Sequence, residues 1–223
     1  MTHDRPADPA PAVDDPRSGG ARNAERVRAD ILGVATAEFA DKGLSGARVD
    51  EIAARTQTSK RMIYYYFGSK KGLYRAVLEN AYSGIRSTEQ VAGMDQMPPA
   101  LALRKLVELT FDYHNEHPEF VRIIMSENML YGANIKHLDS AKTRNTSVIA
   151  LLARLIERGE AEGVFRAGLD PLQLHMSISA LAFYNVSNRH SFSQIFKCDM
   201  NSAAAIGARR ATVVDTILRW CRY

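Results

Sequence analysis

Cysteine is almost absent from this chain: Cys198 and Cys221 are the only two in 223 residues. Two isolated thiols make neither a disulfide framework nor a metal-ligand set, so the sequence predicts reduced thiols and a cytoplasmic setting. Long apolar runs are missing too. None approaches the roughly 20 residues of a bilayer-crossing helix, and no charged segment followed by an apolar one reads as a secretory signal. No stretch of period two lies between hairpin turns, which argues against paired strands. There is no glycine-rich phosphate loop, nucleophile elbow or local Cys–His signature, so neither catalysis nor a cofactor is indicated. His114 and His117, with Glu116, lack the i, i+4 spacing of a metal-binding pair, and Pro118 ends their helix. The most informative absence is of acid. Residues 52–78 contain no Asp or Glu, yet hold Arg55, Lys60, Arg61, Lys70, Lys71 and Arg75. The chain carries +4 overall and these 27 residues carry +6, so the other 196 sum to −2. A basic segment in a slightly acidic chain calls for an anionic partner at that segment.

What is present is ordinary globular material, 46% apolar and 24% charged, and ample for a core. Residues 1–21 are the exception. They hold Pro6, Pro9, Pro11 and Pro16, then Gly19 and Gly20, with almost no large apolar side chain, and read as a disordered tail. Val27, Ile31, Val34, Ala35, Glu38 and Phe39 then recur at helical spacing, and Gly43 is placed to stop that helix. Further helices fit 48–56, 59–67, 70–90, about 99–116, 118–130, 138–162, 171–187 and 201–221, with Asp170 as N-cap before Pro171. Residues 188–200 read as a polar and aromatic connector. The fold class is all-α, with about nine helices. The pattern divides the chain into a small N-terminal helical domain, residues 22–70, and a larger C-terminal bundle, residues 71–223, joined by helix 70–90.

Residues 48–67 have the layout of a helix-turn-helix. Ser59 is placed to cap the second helix, and Ile63 and Phe67, four apart, share its inward face. The run "VDEIAARTQTSKRMIYYYFGSKKGLYRAVLE" at 49–79, preceded by "AEFADKGLSGAR", resembles the tetracycline-repressor (TetR) family of bacterial transcription regulators. Farther along, "FVRIIMSENML", "GEAEGVFRAGLDPLQLHMSISAL" and "VSNRHSFSQIF" are similar to the subgroup containing the pyrimidine-utilisation regulators. The resemblance implies a dimer that binds a palindromic double-stranded operator and answers to a small-molecule effector, most simply as a repressor. Two departures stand out. Gln57 occupies a turn position where the family usually has Gly, so it must adopt a conformation that Gly adopts more cheaply. Ala47 and Arg48 stand where a capping Ser or Thr is usual, which weakens the cap and offers Arg48 to a phosphate.

By position, the resemblance assigns Lys60, Arg61 and Met62 to base edges, with Arg61 reading a guanine. It assigns Tyr64 and Tyr65 to backbone or thymine methyl, and Lys70 to phosphate at a helix N-terminus. Lys71 and Arg48 are further phosphate candidates, and Ser59 opens the recognition helix. Tyr66 and Phe67 read as core, and Tyr74 as packed on the first helix. Each cation has a solvated alternative. In the C-terminal part the family pairs its last two helices with their copies, here about 171–187 and 201–221, where small residues allow close approach. Polar side chains set in apolar helices are the candidates for an effector pocket: Tyr113, His114, Asn128, His175, Tyr184 and Asn185, with Phe120, Met125 and Phe183 as lining. For each, a satisfied core residue is the plainer reading. The subgroup resemblance implies a planar nitrogenous or aromatic effector. Two other functions remain open at this point: a non-specific architectural DNA-binding protein, and a helical enzyme with a basic face.

Overall fold

The computed structural model describes residues 16–90 and 93–222, and the side chains of these except 16–21, 88–90 and 139–146. Ile31, Ala35 and Phe39, each four apart, bury one stripe of α1 (Pro16–Gly46). Gly43 interrupts it at φ 65° and ψ 177°, a left-handed backbone that glycine adopts freely. The helix begins at Pro16, earlier than the apolar pattern shows. Proline suits a first helical turn, and the Ala- and Arg-containing stretch behind it favours helix without adding an apolar face. The rest of the segment read as a tail, residues 1–15, lies outside the described residues.

Then follow α2 (Val49–Arg55), α3 (Lys60–Phe67) and the long α4 (Lys70–Gln90). A 3-10 turn at Met94–Gln96 leads to α5 (Pro99–Glu116) and α6 (Pro118–Met129). These two meet at His117, because Pro118 has no N–H to continue α5 and pushes the residue before it out of helical geometry. After another 3-10 turn, Ile135–His137, come α7 (Asp139–Ala161), α8 (Pro171–Ser187), α9 (Arg189–Phe196) and α10 (Ala203–Cys221). The Asp170 side chain caps α8 by accepting from Gln173 N at 2.7 Å. Among the described residues there are ten α-helices and no strand. The tenth is α9, within the stretch read as a connector. It is eight residues long and buries nothing fully, so its only helical mark is Phe192 and Phe196, four apart with ring centroids at 4.4 Å.

Apolar packing sorts into two large clusters. One lies among α5, α7, α8 and α10, built on Leu103, Leu106, Phe111, Leu152, Ile178 and Ile217. The other lies among α1–α4, built on Phe39, Ile52, Ile63, Leu73 and Tyr74, and it also takes in Ile123 of α6 and Leu138. A smaller cluster, Ala81, Ile85, Phe120, Val121 and Val186, bridges α4, α6 and α8. No helix among the described residues is long and apolar enough to cross a membrane.

Candidate functional site

The acid-free stretch builds the last part of α2, a short turn, α3 and the start of α4. Ile63 and Phe67 are buried, as their spacing predicts, and Tyr74 packs edge-on to Phe39 with ring centroids at 5.1 Å. The turn depends on Gln57 at φ 50°, the left-handed region, where the sequence lacks the usual glycine. The Ser59 hydroxyl accepts from Met62 N at 3.2 Å and caps α3. Arg48, Ser59, Lys60, Arg61, Met62, Tyr64, Tyr65 and Lys71 are all exposed, Tyr65 at 78% of its full surface. Tyr66 is half-buried, its ring 5.4 Å from that of Tyr65 and 6.3 Å from that of Phe67. The four adjacent aromatics thus divide by helical rotation, with Tyr64 and Tyr65 outward, Phe67 inward and Tyr66 between.

Two lysines in this set already have protein partners. Lys60 Nζ lies 2.9 Å from Asp50 Oδ1 on α2, and that carboxylate holds the ammonium above its ordinary pKa. Lys70 Nζ donates to the carbonyl of Ser45 at 3.0 Å, tying the start of α4 to the α1–α2 connection. Among the described residues Arg61 has no partner of either kind, and it stands exposed on the first turn of α3.

The weak cap read at Arg48 has a remedy that the local sequence conceals. The Arg48 side chain makes no capping bond, but its backbone N–H donates to Glu38 Oε1 at 3.1 Å. Glu38 is only 4% exposed, on the inward face of α1. Lys42 Nζ stands 2.9 Å from the same carboxylate and Arg55 NH1 3.9 Å from it. Burial pushes the Glu38 carboxyl upward, but Lys42, the Arg48 N–H and Arg55 outweigh it and hold the group below its ordinary pKa. An acid from α1 therefore ties down both ends of α2, through Arg48 N–H at its start and Arg55 at its end. The signal was an acid inside an otherwise apolar helical stripe.

The proposed effector residues do not all converge. His114 is buried on α5; its Nδ1 lies 2.6 Å from the carbonyl of Thr110, so Nδ1 carries the proton. Its ring contacts Phe120 and Phe183 edge-on, at 5.4 and 6.1 Å. Tyr113 joins the group through Phe120, at 5.6 Å. Burial pushes His114 and His175 down, His175 to about 4, and the charge of Arg86 acts in the same direction on both. Met125 and Asn128 stand apart from this group. They are exposed on α6, because Ile123 and Glu127, four apart, occupy its inward face. Asn128 instead bonds back to the carbonyl of Ile124. Tyr184 faces α9 and lines a separate cavity of about 240 Å³ with Phe192 and Met200. Asn185 is buried and donates to Asn115 Oδ1 at 2.9 Å. The sequence reading passed over Arg86, buried on α4 beside Tyr82 and Ile85. Again the signal was a charge within an apolar stripe. Among the described residues, no group of three or more His, Cys, Asp or Glu side chains could hold a metal ion.

Two family descriptions match the chain. "Bacterial regulatory proteins, tetR family" covers residues 31–77, and "Tetracyclin repressor-like, C-terminal domain" covers residues 99–217. The HTH-type transcriptional repressor NicS of Pseudomonas putida is 33% identical over 202 residues, 91% of this chain and 95% of its own. The HTH-type transcriptional repressor SCO4008 of Streptomyces coelicolor is 34% identical over 140 residues, 62% of this chain and 69% of its own. In three dimensions the fold is similar to a bacterial regulatory protein of the tetR family from Rhodococcus RHA1. That likeness has a TM-score of 0.71 at 21% identity, over 88% of this chain and 97% of that one.

Proposed function

The chain belongs to the TetR family of bacterial transcription regulators, and we propose that it is an effector-released repressor acting on a palindromic operator. It is a DNA-binding regulator and not an enzyme. In the reading we favour, two copies pair through α8 and α10 and present their α3 helices to successive major grooves, about 34 Å apart. Arg61 reads a guanine, Lys60 and Met62 lie along base edges, and Tyr64, Tyr65, Lys70, Lys71 and Arg48 hold the backbone. The observation that carries this is the acid-free stretch folded as a capped, solvent-facing α3 with Arg61 at its exposed end. Pairing has its own support. Leu172 and Met176 on α8 are exposed, as are Ala204, Ala208 and Ala211 on α10, while Ile178, Ala182, Val214 and Ile217 serve the subunit's own core.

The effector enters the C-terminal helices and favours a conformer in which the two recognition helices are wrongly spaced. Operator affinity then falls by the ligand's differential affinity for the two conformers. The aromatic edges of Phe120, Phe183 and Tyr113 around His114 suit a planar ring.

Gel retardation with DNA from upstream of the protein's own gene, against random DNA at matched salt, tests the reading. Selective retardation is expected; equal affinity would make the protein a non-specific architectural binder. Arg61→Ala should relax preference at one operator base pair, while Lys71→Ala should weaken all sequences alike and shallow the salt dependence. An unchanged base preference in Arg61→Ala would refute the guanine assignment.

A further inference from the structure

Arg86 lies near the end of α4 and is only 7% exposed. Its side chain lines a cavity of about 310 Å³ between α4, the Met94–Gln96 turn and α7. Met94, Val148 and Leu151 give that cavity apolar walls, and Arg154 stands at it with its guanidinium forked onto the Asp95 carboxylate at 3.3–3.4 Å. The volume lies at the small end of the range for small-molecule sites.

Arg86 also lies close enough to His114 and His175 for its charge to be felt at both. These imidazoles are biased toward their neutral forms, so they add no positive charge near neutral pH and offer hydrogen bonds to a ring substituent. Because the Nδ1 proton of His114 goes to Thr110, its Nε2 is an acceptor. Arg86 therefore lines an open cavity and also acts electrostatically on the imidazoles of His114 and His175. It carries a fixed positive charge and five N–H donors, which protein acceptors and a ligand can share.

Building on the effector reading above, we propose that the effector is a small ring compound bearing a carboxylate, and that Arg86 is its anchor. A carboxylate matches the planar fork of a guanidinium with two parallel hydrogen bonds. An amide or ester of the same ring offers only one carbonyl acceptor and no charge. The acid should therefore be preferred over its neutral counterpart even though the two are nearly equal in shape.

The test uses the full chain with benzoate, its hydroxylated relatives and cyclohexanecarboxylate, each beside the corresponding amide. Binding is read by calorimetry and by the shift in melting temperature, and release is read by retardation of operator DNA. At least one acid should bind ten-fold or more tighter than its amide, raise the melting temperature and lower operator affinity. Arg86→Gln should bring that acid down to the level of its amide while still retarding the operator, and Arg86→Lys should fall between. Should Arg86→Gln not fold, the acid-against-amide comparison on the unaltered chain decides alone. Amides equal to acids, no binding by any acid of the set, or wild-type acid binding by folded Arg86→Gln would each overturn the proposal. None of these results touches the DNA-binding reading, which fails only if the unliganded chain does not select its operator.

Discussion

Replacing Glu38 with alanine removes the group that anchors the start of α2. The bond from Arg48 N–H to this carboxylate is charge-assisted, and such bonds contribute about 1.5–3 kcal/mol. It also serves as the helix N-cap; that role is the same interaction seen from α2 and is not added again. The contact with Lys42 is half-exposed and adds about 0.3–0.5 kcal/mol. Alanine recovers a few tenths of a kcal/mol through helix propensity. The net loss is about 1.5–3 kcal/mol, which for a chain of this length lowers the melting temperature by about 3–12 °C. Glu38→Gln keeps an acceptor for Arg48 N–H but loses the charge, and should cost about 1 kcal/mol. Urea and thermal unfolding followed by circular dichroism measure both variants, and operator retardation shows whether α2 and α3 remain aligned. The carboxyl is held below its ordinary pKa, so its contribution is complete above the usual carboxylate range and is lost as pH falls through the lowered value. The difference between wild type and Glu38→Ala should therefore narrow in acid. If Glu38→Ala unfolds within about 0.5 kcal/mol of wild type at neutral pH, the anchoring argument is wrong.

Gln57→Gly should stabilise the protein by up to about 1 kcal/mol, since the left-handed backbone costs a non-glycine residue about that much; a lower melting temperature would contradict this. A Cβ at Gly159 would overlap the buried Phe165 ring, so Gly159→Val should cost about 2–3 kcal/mol in urea unfolding, a penalty that Phe165→Leu should partly relieve. His175 has its folded pKa depressed to about 4, so unfolding takes up a proton between roughly pH 6.5 and 4 and stability falls as pH drops through that window. His175→Gln should flatten this part of the stability–pH curve, and an unchanged slope would show that the imidazole is not the group responsible.

The helices and the division of α3 into buried and exposed faces were legible because their signals are local. Ile63 and Phe67 pack inward at their four-residue spacing, Ser59 caps α3, Asp170 caps α8, and Gly43 breaks α1 where expected. What escaped depends on partners distant in sequence. Glu38 acts ten residues from its own position, and Lys60 and Lys70 are engaged by Asp50 and Ser45 rather than standing free. Periodicity marks a buried face without saying which cavity it borders, so Met125 and Asn128 looked equivalent to His114 although they lie on the opposite side of α6 from Ile123. The helix α9 was too short for its period to register against its polar composition.

Ile123 of α6 and Leu138 are plugs in a wall that otherwise belongs to α1–α4. A fragment ending after α4 would be left with an unfilled socket where they sit, and should be loosened even though its recognition surface is intact. The same joint makes α6 a bolt shared by the N-terminal and C-terminal helices. A close-packed interior responds to displacements the size of a single methylene, so a small slide of this helix at its Phe120 and Val121 end would be felt in the packing among α1–α4. The helix-turn-helix and the C-terminal helices are therefore held together by side-chain packing through α6, and not by the chain connection of α4 alone.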